Sequence, residues 1–322
     1  MKLILSLIFL VAVVGCDAKR NEHVTDTKMN SVMKTNCIGH SLIDLPEMYA
    51  LKAGVSATFT PDQNQVEDGY IDLVVEPQMT AERFKRRVGE RHAELADDAR
   101  MTSRLSQVSD MPADGKMFRT HVIEDAYRSE AHWMLNDVYL VASIKSFKNQ
   151  VAEAETMLLD FVHNVESQRA DTTLASFCLG GVTVKGKYRS ELASFHFATA
   201  QVSDTVFSVD VNTYEKDDKE SLLQRLGGPN SLFKKFGIKE SVLRKGEKNV
   251  AGMRAQEWAS VIRPGEKGSE QDLSFLLETM RPVPSATTPR IHMEMDVTGP
   301  SARDETAALA LWDSVIKTVR PR

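Results

Sequence analysis

The chain has three cysteines, Cys16, Cys37 and Cys178, and their chemistry can be read from their surroundings. Cys16 closes Val13-Val14-Gly15-Cys16, which resembles a bacterial lipobox. In that motif the cysteine thiol is lipidated and becomes the first residue after cleavage, and a small residue such as Gly15 lets the chain enter the peptidase site. Ahead of it lie Lys2 and an apolar run from Leu3 to Val14, about 12 residues broken only by Ser6, too short to span a bilayer and suited to a signal-peptide core. Residues 1–16 therefore read as a lipoprotein signal peptide with Cys16 as the lipidation site. The alternative is an ordinary signal peptide with an incidental cysteine. A lipid anchor at Cys16 places the mature chain in the periplasm, bound to the envelope membrane. Asp17 resembles the inner-membrane retention signal of enteric sorting.

Outside the cytoplasm disulfides persist. With Cys16 lipidated, Cys37 and Cys178 are left, 141 positions apart, with one possible connectivity. A bridge between them closes a long loop; the alternative is two buried thiols at equivalent places in two cores. Two isolated cysteines do not make a metal site, and none of the eight histidines stands in ligand spacing to them. No metal and no cofactor are expected.

Catalytic patterns are absent. There is no Gly-x-Ser-x-Gly elbow, no His-Glu-x-x-His and no Gly-x-x-x-x-Gly-Lys-Ser/Thr loop. His92 lies on the apolar stripe of a helix and reads as a half-buried packing residue, while His196 and His292 lie inside strands and read as structural. Carboxylates are plentiful, but abundance alone does not make an acid–base pair. No catalytic residue is assigned. A net charge of −5 without a long basic run argues against nucleic acid as a partner.

The elements around these residues repeat. Asn36-Cys37-Ile38-Gly39-His40 returns, slightly changed, as Phe177-Cys178-Leu179-Gly180-Gly181. After each come a short strand, two alternating strands (Val55 to Phe59 and Tyr70 to Val75; Ser194 to Ala198 and Val206 to Val211), an internal helix, further strands and a closing helix. Thr80 caps the first internal helix, which carries Phe84, Val88 and Leu95, and Ser301 with Asp304 caps the last. Runs of strands with so few helices predict an α+β fold: two similar domains from an internal duplication, each a mainly antiparallel sheet with helices on one face. The expected limits are a tether over 17–34, one domain over 35–170 and another over 171–322, joined near Gln168 to Thr173.

The stretch Cys37-Ile38-Gly39-His40-Ser41-Leu42-Ile43-Asp44-Leu45-Pro46 is similar to the Cys-x-Gly-…-Ile-Asp-Leu-Pro opening of the immunity lipoproteins that antagonise type VI secretion phospholipase effectors of the fourth lipase class. Phe177-Cys178-Leu179-Gly180 resembles the start of that family's carboxy-terminal domain. His40 stands where a basic residue such as arginine is expected. The resemblance implies a periplasmic inhibitor whose two domains grip a cognate phospholipase effector and keep it from opening its lid or admitting lipid. It assigns no effector-contact residue. The exposed loops Asp62 to Gly69, Glu215 to Glu220 and Pro282 to Pro289 are the candidates. The competing classes are a lipoprotein enzyme with an unrecognised site and an envelope scaffold or ligand-binding lipoprotein.

Overall fold

The computed structural model describes residues 32–52, 54–62, 66, 69–97, 104–168, 176–199, 204–214, 220–228, 235, 237–263, 271–280 and 283–322. Cys16, nearly all of the expected tether and the joining segment 169–173 lie outside them.

The two cysteine motifs fold as β-hairpins. β1 (Met33–Gly39) returns as β2 (Ser41–Pro46), and β11 (Ser176–Leu179) returns as β12 (Val182–Lys185). The turns need backbone angles that glycine adopts without strain: φ is +65° at Gly39 and +52° and +106° at Gly180 and Gly181. Gly39 is doubly constrained, because a Cβ there would lie 2.8 Å from the Phe177 ring. The hairpins meet along β1 and β11, with Ile38 opposite Leu179, and a disulfide joins Cys37 to Cys178 with the Cα atoms 6.0 Å apart. β1 begins at Met33, two residues inside the expected tether.

Each hairpin is followed by strands of a 13-stranded sheet. In the first half these are β3 (Tyr49–Leu51), β4 (Val55–Pro61) and β5 (Ile71–Glu76), then, after α1 (Ala81–Ala96), β6 (Arg104–Asp110), β7 (Lys116–Ile123), β8 (Ala126–Leu135) and β9 (Val138–Phe147). In the second half they are β13 (Tyr188–Thr199) and β14 (Thr205–Asn212), then, after α3 (Leu222–Gly227), β15 (Lys239–Val250), β16 (Met253–Arg263), β17 (Asp272–Thr279) and β18 (Arg290–Val297). α2 (Val151–His163) with β10 (Val165–Ser167) closes the first half, and α4 (Glu305–Ile316) with β19 (Arg320–Pro321) closes the second.

The sheet runs β15-β16-β17-β18-β14-β13-β4-β5-β9-β8-β7-β6, with β3 also pairing to β13. It does not break between the halves: β4 and β13 pair side by side, Ser56 opposite Ser194. The smaller sheet runs β10-β12-β11-β1-β2-β19, so the closing strand of each half pairs with the other half's hairpin. Both orders read alike from either end when the elements of the two halves are interchanged. Residues 32–322 form one compact unit, and one continuous apolar core draws on both halves, from Ile38 to Val319.

The structure is mainly antiparallel with few helices, as expected. The expectation of helices on one face is corrected. α2 and α4 lie with the small sheet over the inner face of the large one, where Leu158, Phe161, Trp312 and Val315 pack against Phe59, Phe195 and Phe275. α1 lies on the opposite face, its Phe84, Val88 and Leu95 packed on Phe118 and Tyr139. α3 shares that outer face, where Leu223 N donates to Gln256 and Gly227 lies against Trp258. The physical reason is strand alternation. Met117 and Leu140 point to the inner core while their neighbours Phe118 and Tyr139 point outward, so these strands need cover on both sides.

Candidate functional site

Among the described residues, the middle of the large sheet is packed over on its inner face. Alternation turns Phe59, Leu73, Phe195 and Val209 inward and leaves their neighbours facing out. Across β9, β5, β4, β13, β14 and β18 the register sets Val141, Val74, Ser56, Ser194, Asp210 and His292 in one transverse row. The next row is Ser143, Asp72, Thr58, Leu192, Asn212 and Arg290. Among the described residues α1 reaches the outer side of β5, where Arg87 bonds to Glu76 at 3.1 Å and lies with Glu90, Arg91 and Glu94 beside Val74; Ser56, Val74, Leu192, His196 and Asp210 are exposed. The result is an open strip about 24 Å wide, five interstrand spacings, with α1 to one side and α3 to the other.

Each border of the strip holds a buried glutamate gripped by an arginine from the internal helix. On the first side Glu130 of β8 takes two hydrogen bonds from Arg91 of α1, at 3.1 and 2.8 Å, and Arg128 lies 3.3 Å away. His132 approaches the same carboxylate at 3.3 Å and meets the Tyr139 hydroxyl at 2.6 Å. Burial opposes ionisation of Glu130, but the hydrogen bonds of His132 and Arg91 and the charges of Arg128 and Arg91 outweigh it and hold the carboxyl at about 2. On the second side Glu278 of β17 is bound by Arg225 of α3, lies 3.6 Å from Arg290, and meets His292 at 3.0 Å. Burial is again overcome, by the His292 hydrogen bond and the Arg225 charge, and Glu278 is held at about 2. His292 lies between Glu278 and Glu294, the latter at 2.8 Å. Burial works against its charge, yet the two carboxylates raise it to about 9. β8 and β17 occupy matching places from the two ends of the sheet, so the borders correspond.

Other buried charges fasten helices to the inner face. Glu257, almost fully buried, receives Arg244, Lys248 and Trp312 Nε1, the last at 2.7 Å, and Asp313 of α4 joins the network through Arg244 at 2.6 Å. Arg119 and Ser129 hold Glu155 of α2. These groups have partners and positions that fix packing.

The residues singled out in the sequence divide as follows. His40, at the expected basic position, is buried, lies 2.8 Å from the buried Glu191 and packs edge-on against Phe177 at 5.2 Å. His92 is exposed and not half-buried; its ring lies flat near Phe118 at 5.8 Å. His196 and His292 both face the open strip, His196 bonded to Ser208 at 2.9 Å. Of the candidate loops, only Asp62, Val66, Gly69 and Glu220, with residues 283–289, are among the described residues. The last segment is closed by paired backbone hydrogen bonds between Ser285 and Thr288 and has Pro284 and Pro289 buried, as a connector would. The strip itself was not legible, because it is made by strands distant in sequence.

A cleft of about 690 Å³ opens beside α2, floored by Met157, Phe161 and Tyr188 with Glu153, Asp160 and Lys187 at its rim. Among the described residues no group of three or more His, Cys, Asp or Glu side chains is arranged to hold a metal ion, and no helix is long and apolar enough to cross a membrane.

Comparison with known proteins agrees with this architecture. No curated protein sequence gives a significant match. The apo immunity protein TplEi of the type VI secretion system of Pseudomonas aeruginosa superposes with a TM-score of 0.64 at 18% identity, over 90% of this chain and 97% of that one. The same immunity protein complexed with an "L" peptide gives 0.61, again at 18% identity, over 90% and 98%. The Tle4–Tli4 complex gives 0.63 at 18% identity, over 90% and 97%. At that identity these establish a shared fold. The sequence evidence is separate: residues 173–322 match the family model of the Tle cognate immunity protein 4 C-terminal domain. That match begins just before the second cysteine hairpin and runs through the closing strand β19.

Proposed function

We propose that the chain is the immunity partner of a type VI secretion lipase effector, which it binds and occludes so that the lid cannot open or lipid cannot enter. The family match over residues 173–322 carries this reading. It is supported by a fold shared over nine-tenths of the chain with immunity proteins, one of them in complex with Tle4. Such inhibition requires no chemistry from the inhibitor. It requires an interface on the order of 1,600 Å² with a few buried anchors. Co-expression with a type VI secretion lipase effector, taken from beside this chain's own gene if one is found there, tests the proposal. Protection of the host and co-purification of the pair are expected; a folded chain that neither binds nor protects would refute it.

The finer parts of the reading rest on sequence. Cys16 carries the lipid, residues after it form a tether, and the folded part works in the periplasm, with Asp17 favouring the inner membrane. The Cys16→Ala variant should leave the membrane fraction; if it stays there, the anchor assignment fails. The two halves are descendants of one duplicated module. The support is the repeated Cys-x-Gly hairpin and a strand order that reads alike from either end.

A further inference from the structure

The open strip presents carboxylates on three of its strands. On its outward side β5 presents Asp72, β14 presents Asp210, and β18 presents Glu294 and Asp296. The cationic groups facing the same way are Arg290 and His292 on β18, both engaged by Glu278, His196 on β13, Lys145 on β9, and Arg128, whose guanidinium donates to Ser143 opposite Asp72. Asp210 is opposite His292 in the ladder, but the two ring nitrogens of His292 are taken by Glu278 and Glu294. Among the described residues, Asp72 and Asp210 are held only by hydroxyls: Thr58 donates to Asp72 at 2.9 Å and Ser194 to Asp210 at 2.5 Å. Asp296 is pushed up, first by burial and then by the charges of Glu294 and Asp272, as expected where carboxylates repel one another. Between the carboxylates, β4 and β13 present Ser56, Thr58, Ser194 and Leu192, and Val74 stands beside Asp72 on β5. Val74 and Leu192 are each 38% exposed, although a sheet face left to water is ordinarily polar.

We infer that this strip is the surface that receives the effector, and that what it receives is a basic, amphipathic segment: cationic side chains on Asp72 and Asp210, and an apolar side chain between them on Leu192. The two aspartates are three strands apart, about 14 Å, the length of about four residues of extended chain or nine of helix. The arrangement sets one exposed leucine among hydroxyls and charges that become desolvated on binding. The borders are held rigid by the Glu130 and Glu278 clusters, so little side-chain ordering is left for the binding step. This inference rests on the immunity reading and narrows it to one face and one partner chemistry.

The test uses the full mature chain and the lipase effector that it protects against in co-expression. Binding is measured by calorimetry at low and high salt for wild type, for Asp72→Lys/Asp210→Lys, for Leu192→Glu, and for Glu153→Lys/Asp160→Lys on the exposed side of α2. Losing close charge pairs at a desolvated centre predicts a weakening of roughly 30-fold or more for the first two variants. The α2 variant should stay within about twofold of wild type, and high salt should weaken wild-type binding. If a reversal variant fails to fold, Asp72→Asn/Asp210→Asn replaces it. Hydrogen exchange of the wild-type complex gives a readout without substitution, with protection expected in β4, β5, β13 and β14. Tight binding by folded strip variants, or protection confined to α2 and the small sheet, overturns the inference while leaving the immunity reading intact. Failure of wild type to bind or protect overturns both.

Discussion

At the scale of single residues, His292 is the most informative titrating group. It and Glu278 report one interaction from its two ends, so their shifts are not added. His292 is raised from 6.5 to about 9, so it stabilises the fold fully below pH 6.5 and that contribution is lost as pH rises through about 9. Glu130 and Glu278 are lowered from 4.5 to about 2, so their contribution is complete above pH 4.5 and disappears as pH falls through about 2. Stability should therefore be highest between these limits. His292→Gln should cost on the order of 1–3 kcal/mol at pH 6, with the gap to wild type closing above about pH 9.5. Urea melts across that range check it, and a gap independent of pH would disprove the assignment. Gly39 makes a different demand. Its φ is +65°, and a Cβ added there would meet the Phe177 ring at 2.8 Å, so Gly39→Ala combines backbone strain with a clash. A loss of roughly 2 kcal/mol or more is expected in chemical denaturation.

At the scale of elements, the disulfide ties together two hairpins that lie side by side in the small sheet. Cys37 and Cys178 are 141 residues apart, and loop-closure entropy for such a bridge is about 5 kcal/mol before any offset. Cys37→Ser/Cys178→Ser should lower the urea midpoint, and a reductant should move wild type toward the variant and leave the variant unchanged. No change on reduction would mean that the bridge adds nothing. The short closing strand β19 is equally placed to matter. Arg320 and Pro321 pair with β2, Arg320 reaches Asp44 at 3.0 Å, and Arg322 N donates to His40 O while its guanidinium reaches Ser176. Removal of residues 319–322 also takes away the buried Val319, and should lower the melting temperature measurably. A truncated chain that melts with wild type would show that β19 is ornamental.

At the scale of the whole molecule, the halves are interlocked. β10 leaves the first half to pair with β12, β19 leaves the second to pair with β2, and β4 meets β13 in the large sheet. Residues 32–168 and 176–322, expressed as separate chains, should each fail to give a cooperative melt, and should form a folded heterodimer when co-expressed. Size-exclusion and circular dichroism measure this; a cooperative melt from either half alone would contradict it.

The chain order alone determined much of this protein. Strand alternation, helix stripes, the Thr80 cap and the paired Cys-x-Gly turns are local patterns, set by backbone sterics and side-chain period, and they appear where the residues place them. The last helix, by contrast, is capped by Asp304 alone, and Ser301 lies in the preceding 3-10 turn, bonded to Asp204. The family resemblance was also legible, because the motif residues are a contiguous hairpin. Edge strands β6 and β15 were not, since their polar faces meet water and carry no burial pattern. Nor was the joining of two sheets into one, since the pairing of Ser56 with Ser194 links residues far apart in sequence and leaves no local trace. The open strip shares that origin. Asp72, Val74, Leu192 and Asp210 become neighbours only once β5, β4, β13 and β14 lie side by side, so charge and exposure on that face are properties of the tertiary structure.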